Sequence, residues 1–245
     1  MDAKEQYPIE EQLWFAGMLT MIAGSLDAYS FLFHGGVFAG LQTGNLILLG
    51  IHLGQNSLSA VVRHSLSILA FAIGTIIIRI VQLKVLKKPQ ENASPAQLYL
   101  ESKRKHQLHL IVLIYEMMMI LLSVLLNFLG ISEVAAMLLS MAAAAELQEF
   151  RKVRGQTFTP LTMTGDLRSL AESIFDESVS HAATAKKKAV QTFVLMFCFI
   201  IGSALVGYSK AVLSTVAIVI PLTLLMILTI FMIINNVKFL KQIKN

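Results

Sequence analysis

Apolar stretches alternate with short polar breaks along the chain. Six are long enough to matter: residues 13–33, 58–83, 108–129, 132–150, 189–208 and 211–234. Each lies near the roughly 20 apolar residues that a helix needs to cross a bilayer. Hydrocarbon offers no water to backbone N–H and C=O groups, so each stretch is predicted to be a helix. Two segments do not fit, 34–54 and 151–188. Each interrupts its apolar surroundings with a polar run, LQTGNLILLG at 41–50 and LTMTGDLRSL at 161–170. The hydrophilic segment 84–105 carries two prolines and mixed charge, and reads as a surface connector.

The two polar runs coincide when the chain is shifted by 121 residues. Thr43 then falls on Thr164, Gly44 on Gly165, Asn45 on Asp166, Leu46 on Leu167 and Leu49 on Leu170. Upstream, Ala23 falls on Ala144 and Asp27 on Gln148 without a gap. This spacing predicts an internal duplication, with one repeat over about 13–83, a connector at 84–106 and a second repeat over about 108–234.

Basic residues in short loops mark the cytoplasmic side. Segment 84–105 holds six lysines and arginines, segment 151–188 holds seven, and Lys238, Lys241 and Lys244 follow near the C-terminus. With these three placed inside, the segment between Arg151 and Lys186 dips into the membrane and returns, or lies on its surface. If 34–54 also dips without crossing, both termini are cytoplasmic and Arg63 is outside. Three spans per repeat, an odd number, then make the halves run in opposite senses, as in many transporters. The expected fold is therefore an all-α polytopic membrane protein, with six spans and two re-entrant or broken segments in a three-plus-three inverted repeat. The rival reading makes 37–54 a seventh span and places the N-terminus outside.

Composition agrees. Of 245 residues, 56% are hydrophobic and 14% charged, against about 25% charged in a typical soluble domain. The net charge of +5 lies in clusters between apolar spans, which orients a membrane protein and argues against nucleic acid. The single cysteine, Cys198, allows no disulfide within one chain. The acidic start, MDAKEQYPIEEQ, lacks the basic region of a signal peptide, so the first span is expected to be retained.

The stretches AGSLDAYSFLFHGGVFAGLQTGN and TPLTMTGDLRSLA resemble the YoaK-like family of bacterial membrane proteins, over about residues 13–235. The most specific part is Gly24, Asp27 and Ala28 followed by Thr43, Gly44 and Asn45. The family's second half carries a Gly-x-Gln-Asn-like run, of which AAAELQEF keeps only Gln148. The resemblance implies a multi-span protein of the bacterial plasma membrane and supplies no substrate or reaction.

The chemistry rests on the breaks. Thr43 is expected to cap a helix starting near Leu46, with Gly44 giving backbone freedom and Asn45 adding donors and an acceptor. A half-helix N-terminus inside the membrane exposes free N–H groups and a positive dipole end, which suits a polar or anionic group. The first half-helix, apolar nearly all round, is expected to be buried. The second is amphipathic, with Leu167, Leu170, Ala171, Ile174 and Phe175 on one face. Asp27, Thr43, Gly44, Asn45, Gln148, Thr164, Gly165 and Asp166 are the candidate binding residues. Acidic residues within spans are functional candidates: Glu116 and Glu146 join the set for ion coupling, with Arg168 as a partner for Asp27 or Asp166. Glu149, His106 and His109 read as interfacial, Trp14, Tyr29 and Tyr208 as membrane-interface residues, and Gly17, Gly24, Gly202 and Gly207 as sites of close helix packing.

No His-Glu-x-x-His or Gly-x-Ser-x-Gly run occurs, and no nucleophile–base or metal constellation is legible. The expectation is a transporter or channel, not an enzyme, with no cofactor. Its partners are the bilayer and a small polar or anionic solute, and self-association stays open. The alternative is a non-transporting membrane scaffold.

Overall fold

The computed structural model describes residues 7–86, 94–160, 163–181 and 183–242. Residues 87–93 of the connector, Leu161 and Thr162 of the second polar run, and Lys244 lie outside them. The helices are α1 (Leu13–Phe33), α2 (Gln42–Gly54), α3 (Leu58–Val85), α4 (Pro95–Phe128), α5 (Ser132–Glu149), α6 (Met163–Ser180), α7 (Ala183–Leu213) and α8 (Val219–Gln242). Single 3₁₀ turns cover Ile9–Glu11 and Ser214–Ile218. Four runs are long and apolar enough to cross a membrane: Leu13–Phe33, Leu58–Val85, Tyr99–Phe128 and Ala183–Asn235, the last carrying both α7 and α8.

Local chemistry explains where the elements depart from the hydropathy reading. The connector is shorter than expected because Ser94 caps α4: its hydroxyl accepts from the Gln97 N–H, while the Gln97 side chain accepts from the Ser94 N–H. Pro95 at the first helical position has no N–H to lose. The final break falls at Ser214–Ile218, five residues later than expected, where Ser214 adopts φ of 49°. The second polar segment opens with an antiparallel hairpin, β1 (Lys152–Val153) and β2 (Gln156–Thr157), which the all-α expectation lacks. Arg154 and Gly155 both have positive φ, the requirement of a tight two-residue turn.

α1 is the most enclosed span; Phe15, Leu19, Ile22 and Leu26 have no exposed surface. It packs along α7 and against α8, and crosses α5. α5 packs in turn along α3 and against α4. Small residues permit the α1–α7 approach. A Cβ on Gly24 would run into the Phe199 carbonyl, one on Gly202 into the Met21 carbonyl, and one on Gly17 into Cys198 Sγ at 3.2 Å. Gly74 does the same for α3 against the backbone of Met141. Gly207 has open space around it and serves no such contact.

The polar breaks sit at the periphery. α2 packs on α3, and α6 on α7. α2 is not buried as expected: Leu46, Ile47, Ile51 and Leu53 are exposed apolar side chains. α6 likewise turns Leu167, Ile174 and Phe175 outward and buries Ser173. Such surfaces suit lipid rather than water. Tyr29 is a correction of another kind. It is buried at the end of α1, where its hydroxyl donates to the Thr215 carbonyl at 2.8 Å.

Candidate functional site

The chain leaves α1 at His34, turns through Gly35 and Gly36 at φ of 69° and 79°, and enters α2 at Gln42. The intervening loop is held by two buried side chains. Asp27, two turns before the end of α1, accepts at Oδ1 from the N–H groups of Gly40 (2.6 Å) and Leu41 (3.3 Å). Asn45, with no exposed surface, folds back from the first turn of α2 onto Phe38. Its Oδ1 accepts from the Phe38 N–H at 2.9 Å and its Nδ2 donates to the Phe38 carbonyl at 2.8 Å. Those two bonds fix the orientation of the amide.

Asn45 also ties the break to the spans. Nδ2 lies 3.0 Å from Gln42 Oε1 and 3.1 Å from Ser67 Oγ of α3. His64 Nδ1 donates to Oδ1 at 3.3 Å, because an amide oxygen can only accept. Ser67 Oγ continues to Ser140 Oγ of α5 at 2.7 Å. One amide thus connects α2, α3 and α5. Sequence reading found Asp27 and Asn45 but missed Gly40, His64, Ser67 and Ser140. A lone serine or histidine inside an apolar stretch carries no pattern of its own.

Thr43 is not the cap. It is exposed, and Leu41, with no side-chain cap bond, stands at the N-cap position. The reason is geometric: α2 begins at Gln42, earlier than expected, so Thr43 is already a helical residue, and the loop amides ahead of it are taken by Asp27 and Asn45. A protein carboxylate occupies the entrance to this half-helix, which weakens the case for an anionic ligand there. Gly44 is needed for space, since a Cβ there would lie 2.8 Å from the Phe38 ring.

The second break is built differently. Thr164 and Gly165 are exposed, and a Cβ on Gly165 would meet nothing within 4 Å. Asp166 is half-buried; burial raises its carboxyl above the usual range, and Oδ2 has no hydrogen-bond partner. Arg168 pairs with Glu172 at 3.7 Å on the exposed face of α6, not with Asp27 or Asp166. Its next-turn partner is simply nearer. Gln148, the counterpart of Asp27, exchanges bonds with Gln82 of α3 instead of reaching α6: Nε2 donates to Gln82 Oε1 at 2.9 Å, and Gln82 Nε2 donates to the Gln148 carbonyl at 3.2 Å.

Glu116 of α4 and Glu146 of α5 are both fully buried and face each other, and the charge of Asp27 acts on Glu146. Two helices thus set a pair of carboxyl groups in the core, and α1, which crosses α5, carries a third buried acidic residue, Asp27. Toward the start of α4 a charged cleft opens, lined in part by Glu10, Lys105, His109, Glu149 and Arg151. His109 is buried there, with Nε2 3.1 Å from Glu149 Oε1 and Nδ1 3.6 Å from Glu10 Oε1. Gln82 Nε2 holds the other Glu149 oxygen at 2.7 Å. Glu11 anchors the hairpin, its carbonyl accepting from the Arg154 N–H at 2.7 Å and its Oε2 from the Gly155 N–H at 3.2 Å. Among the described residues no group of three or more His, Cys, Asp or Glu is placed to hold a metal ion.

The chain belongs to the family described as Protein of unknown function (DUF1275), which matches residues 15–231. The YoaK-like resemblance in the sequence agrees with this membership. No curated protein and no solved structure matches the chain.

Proposed function

We propose that this protein is a transporter or channel for a small polar solute in the bacterial plasma membrane, with Asp27 and the loop leading into α2 at its site. The observation that carries the reading is the burial of three acidic residues, Asp27, Glu116 and Glu146, in the apolar core beside a broken helix, with Glu116 and Glu146 facing each other. Buried acidic groups are expensive inside a membrane and mark ion and solute pathways. Irregular backbone at that depth persists where protein buries it or a cavity solvates it.

The packing supports an inverted repeat. Matching at an offset of 121 pairs α1 with α5, α2 with α6, α3 with α7 and α4 with α8, so the two halves divide between α4 and α5 rather than at the connector 84–106 expected from the sequence. The α1–α7 contact then corresponds to α5–α3, α1–α8 to α5–α4, and α2–α3 to α6–α7, while α1–α5 and α4–α8 correspond to themselves. That is the pattern a pseudo-two-fold axis generates. Both long contacts also run in parallel: Gly17 lies against Cys198 and Gly24 bonds to Ser203, while Ser67 meets Ser140 and Gln82 meets Gln148. Six crossings, with both termini cytoplasmic, fit this packing and the basic-residue bias.

A scaffold reading draws on one observation: Asp27 Oδ1 and the Asn45 amide are bonded to groups of the chain itself. Melting of the purified protein against a panel of polar metabolites, organic cations and anions separates the two. A transporter is stabilised by a member of the panel, and Asp27→Asn weakens that shift. A panel without effect, together with no uptake in proteoliposomes, leaves the scaffold.

A further inference from the structure

The three core carboxyl groups are not held alike. Asp27 Oδ1 has two N–H donors, whereas Oδ2 has no partner. Glu116 and Glu146 have no exposed surface, and none of their four oxygens has a hydrogen-bond partner. Ionised carboxylates only accept, so two that face each other make no bond. The charges acting on Glu146 are those of Glu116 and Asp27, both negative. No Lys, Arg or His among the described residues forms an ion pair with any of the three. On α3, which packs along α5, Arg79 donates to Gln82 at 3.3 Å and so is turned to another partner. Buried like charges without a counter-ion are strongly disfavoured. A single proton removes the difficulty, because a protonated carboxyl becomes a donor and closes a bond to its neighbour.

We propose that Glu116 and Glu146 form a proton-exchange site. The route to it starts at the cleft. Glu10 faces His109, His109 meets Glu149, and Glu149 lies one helical turn from Glu146 on α5. The proton enters and leaves along this string of titratable groups, with no covalent step. A metal cation fits less well, since no set of ligating side chains is placed around the pair. Proton binding stands apart from the transport reading; only its use to drive a solute rests on that reading.

The test uses the full-length protein in liposomes, with no solute added. Infrared difference spectra across pH are expected to show a protonated-carboxyl band that disappears as pH rises. The band is lost or displaced in both Glu116→Gln and Glu146→Gln. A wild-type protein without a titrating carboxyl band overturns the proposal, as does a band unchanged in both variants. Wild-type melting in sodium, potassium and choline chloride at fixed pH covers the case of variants that fail to fold. Equal melting in the three salts is expected, and a sodium-specific rise overturns the proposal in favour of a metal cation. A titrating band with no solute effect leaves the proton site standing and removes the transporter.

Discussion

The Gly40 N–H donates to Asp27 Oδ1 at 2.6 Å, joining the end of the loop before α2 to the interior of α1 across thirteen residues of chain. The same oxygen takes the Leu41 N–H at 3.3 Å. Asp27→Leu leaves both donors unpaired in an apolar setting, at about 1–3 kcal/mol each. Asp27→Asn keeps an acceptor and loses only charge assistance, a cost of about 1 kcal/mol. Thermal or denaturant melting in detergent is expected to rank wild type above Asp27→Asn above Asp27→Leu. Equal stability of the two variants contradicts this account of the loop.

Asn45 gives the matching prediction for α2. Its amide satisfies both the N–H and the carbonyl of Phe38 and meets Ser67. Asn45→Ala is expected to destabilise by about 1–3 kcal/mol, whereas Thr43→Ala, at an exposed position without a cap bond, stays within about 0.5 kcal/mol of wild type. Proteolysis between α2 and α3 reads the loosening directly, and comparable losses in the two variants contradict the assignment.

These residues also show what the sequence could and could not reveal. Asp27 and Asn45 were legible because a carboxylate and an amide inside oily stretches demand partners. The bounds of α1 match its apolar stretch because its last residue precedes the Gly35–Gly36 turn. Thr43 was misread because the helix was expected to start near Leu46, whereas the loop that Asp27 holds from α1 ends at Leu41 and α2 begins at Gln42. The start of α4 was missed because hydropathy cannot see a capping box in a polar segment. The partners of His109 were not legible because Glu10 and Glu149 lie far away in sequence. The likeness of Thr164–Asp166 to Thr43–Asn45 carried over into where the helices begin, α2 at Gln42 and α6 at Met163, but not into the bonds around them, since Gln148 turns to α3.

That asymmetry makes the two glycines separable. A Cβ on Gly44 would lie 2.8 Å from the Phe38 ring, which is itself stacked on Phe31 with centroids 4.8 Å apart. Gly44→Val must displace the ring or unwind the first turn of α2, at a cost of about 1–3 kcal/mol. Gly165→Val meets open space and is expected to cost under about 1 kcal/mol. Folded yield and melting of the pair check this; equal damage at both positions argues that the breaks have the same local geometry after all.

His34 introduces a pH dependence. It is buried at the end of α1, and burial lowers its imidazole below the ordinary value of 6.5, opposed by the contact with Ser132 and the nearby charge of Glu133. Below about pH 6.5 the unfolded chain binds the proton more readily than the folded one. Stability from this group is therefore complete above that pH and is lost as pH falls toward the lowered folded value. Wild-type melting is expected to decline through this window, and the decline to be shallower in His34→Gln. An unchanged slope in the variant rules His34 out as the source.

Topology is the broadest expectation and the simplest to check. His34 Nδ1 bonds Ser132 Oγ at 2.9 Å, so the end of α1 and the start of α5 share one face of the bundle. Glu10 and Glu149 both meet His109, which sets the start of α1 and the end of α5 on the other. Between these faces α2 begins at Asp27 and Ser67, inside the bundle, and returns to the turn at Asn56. A segment that descends as a loop and climbs back as a helix does not change sides. The N-terminus and the basic residues of 84–105 are then expected on the same side, which the basic-residue bias predicts to be cytoplasmic. Reporters fused before Leu13 and after Asn245 are expected to score cytoplasmic, and one inserted at Asn56 to score external. An external N-terminus, with Asn56 still external, favours seven crossings and removes the inverted repeat on which the transporter reading leans.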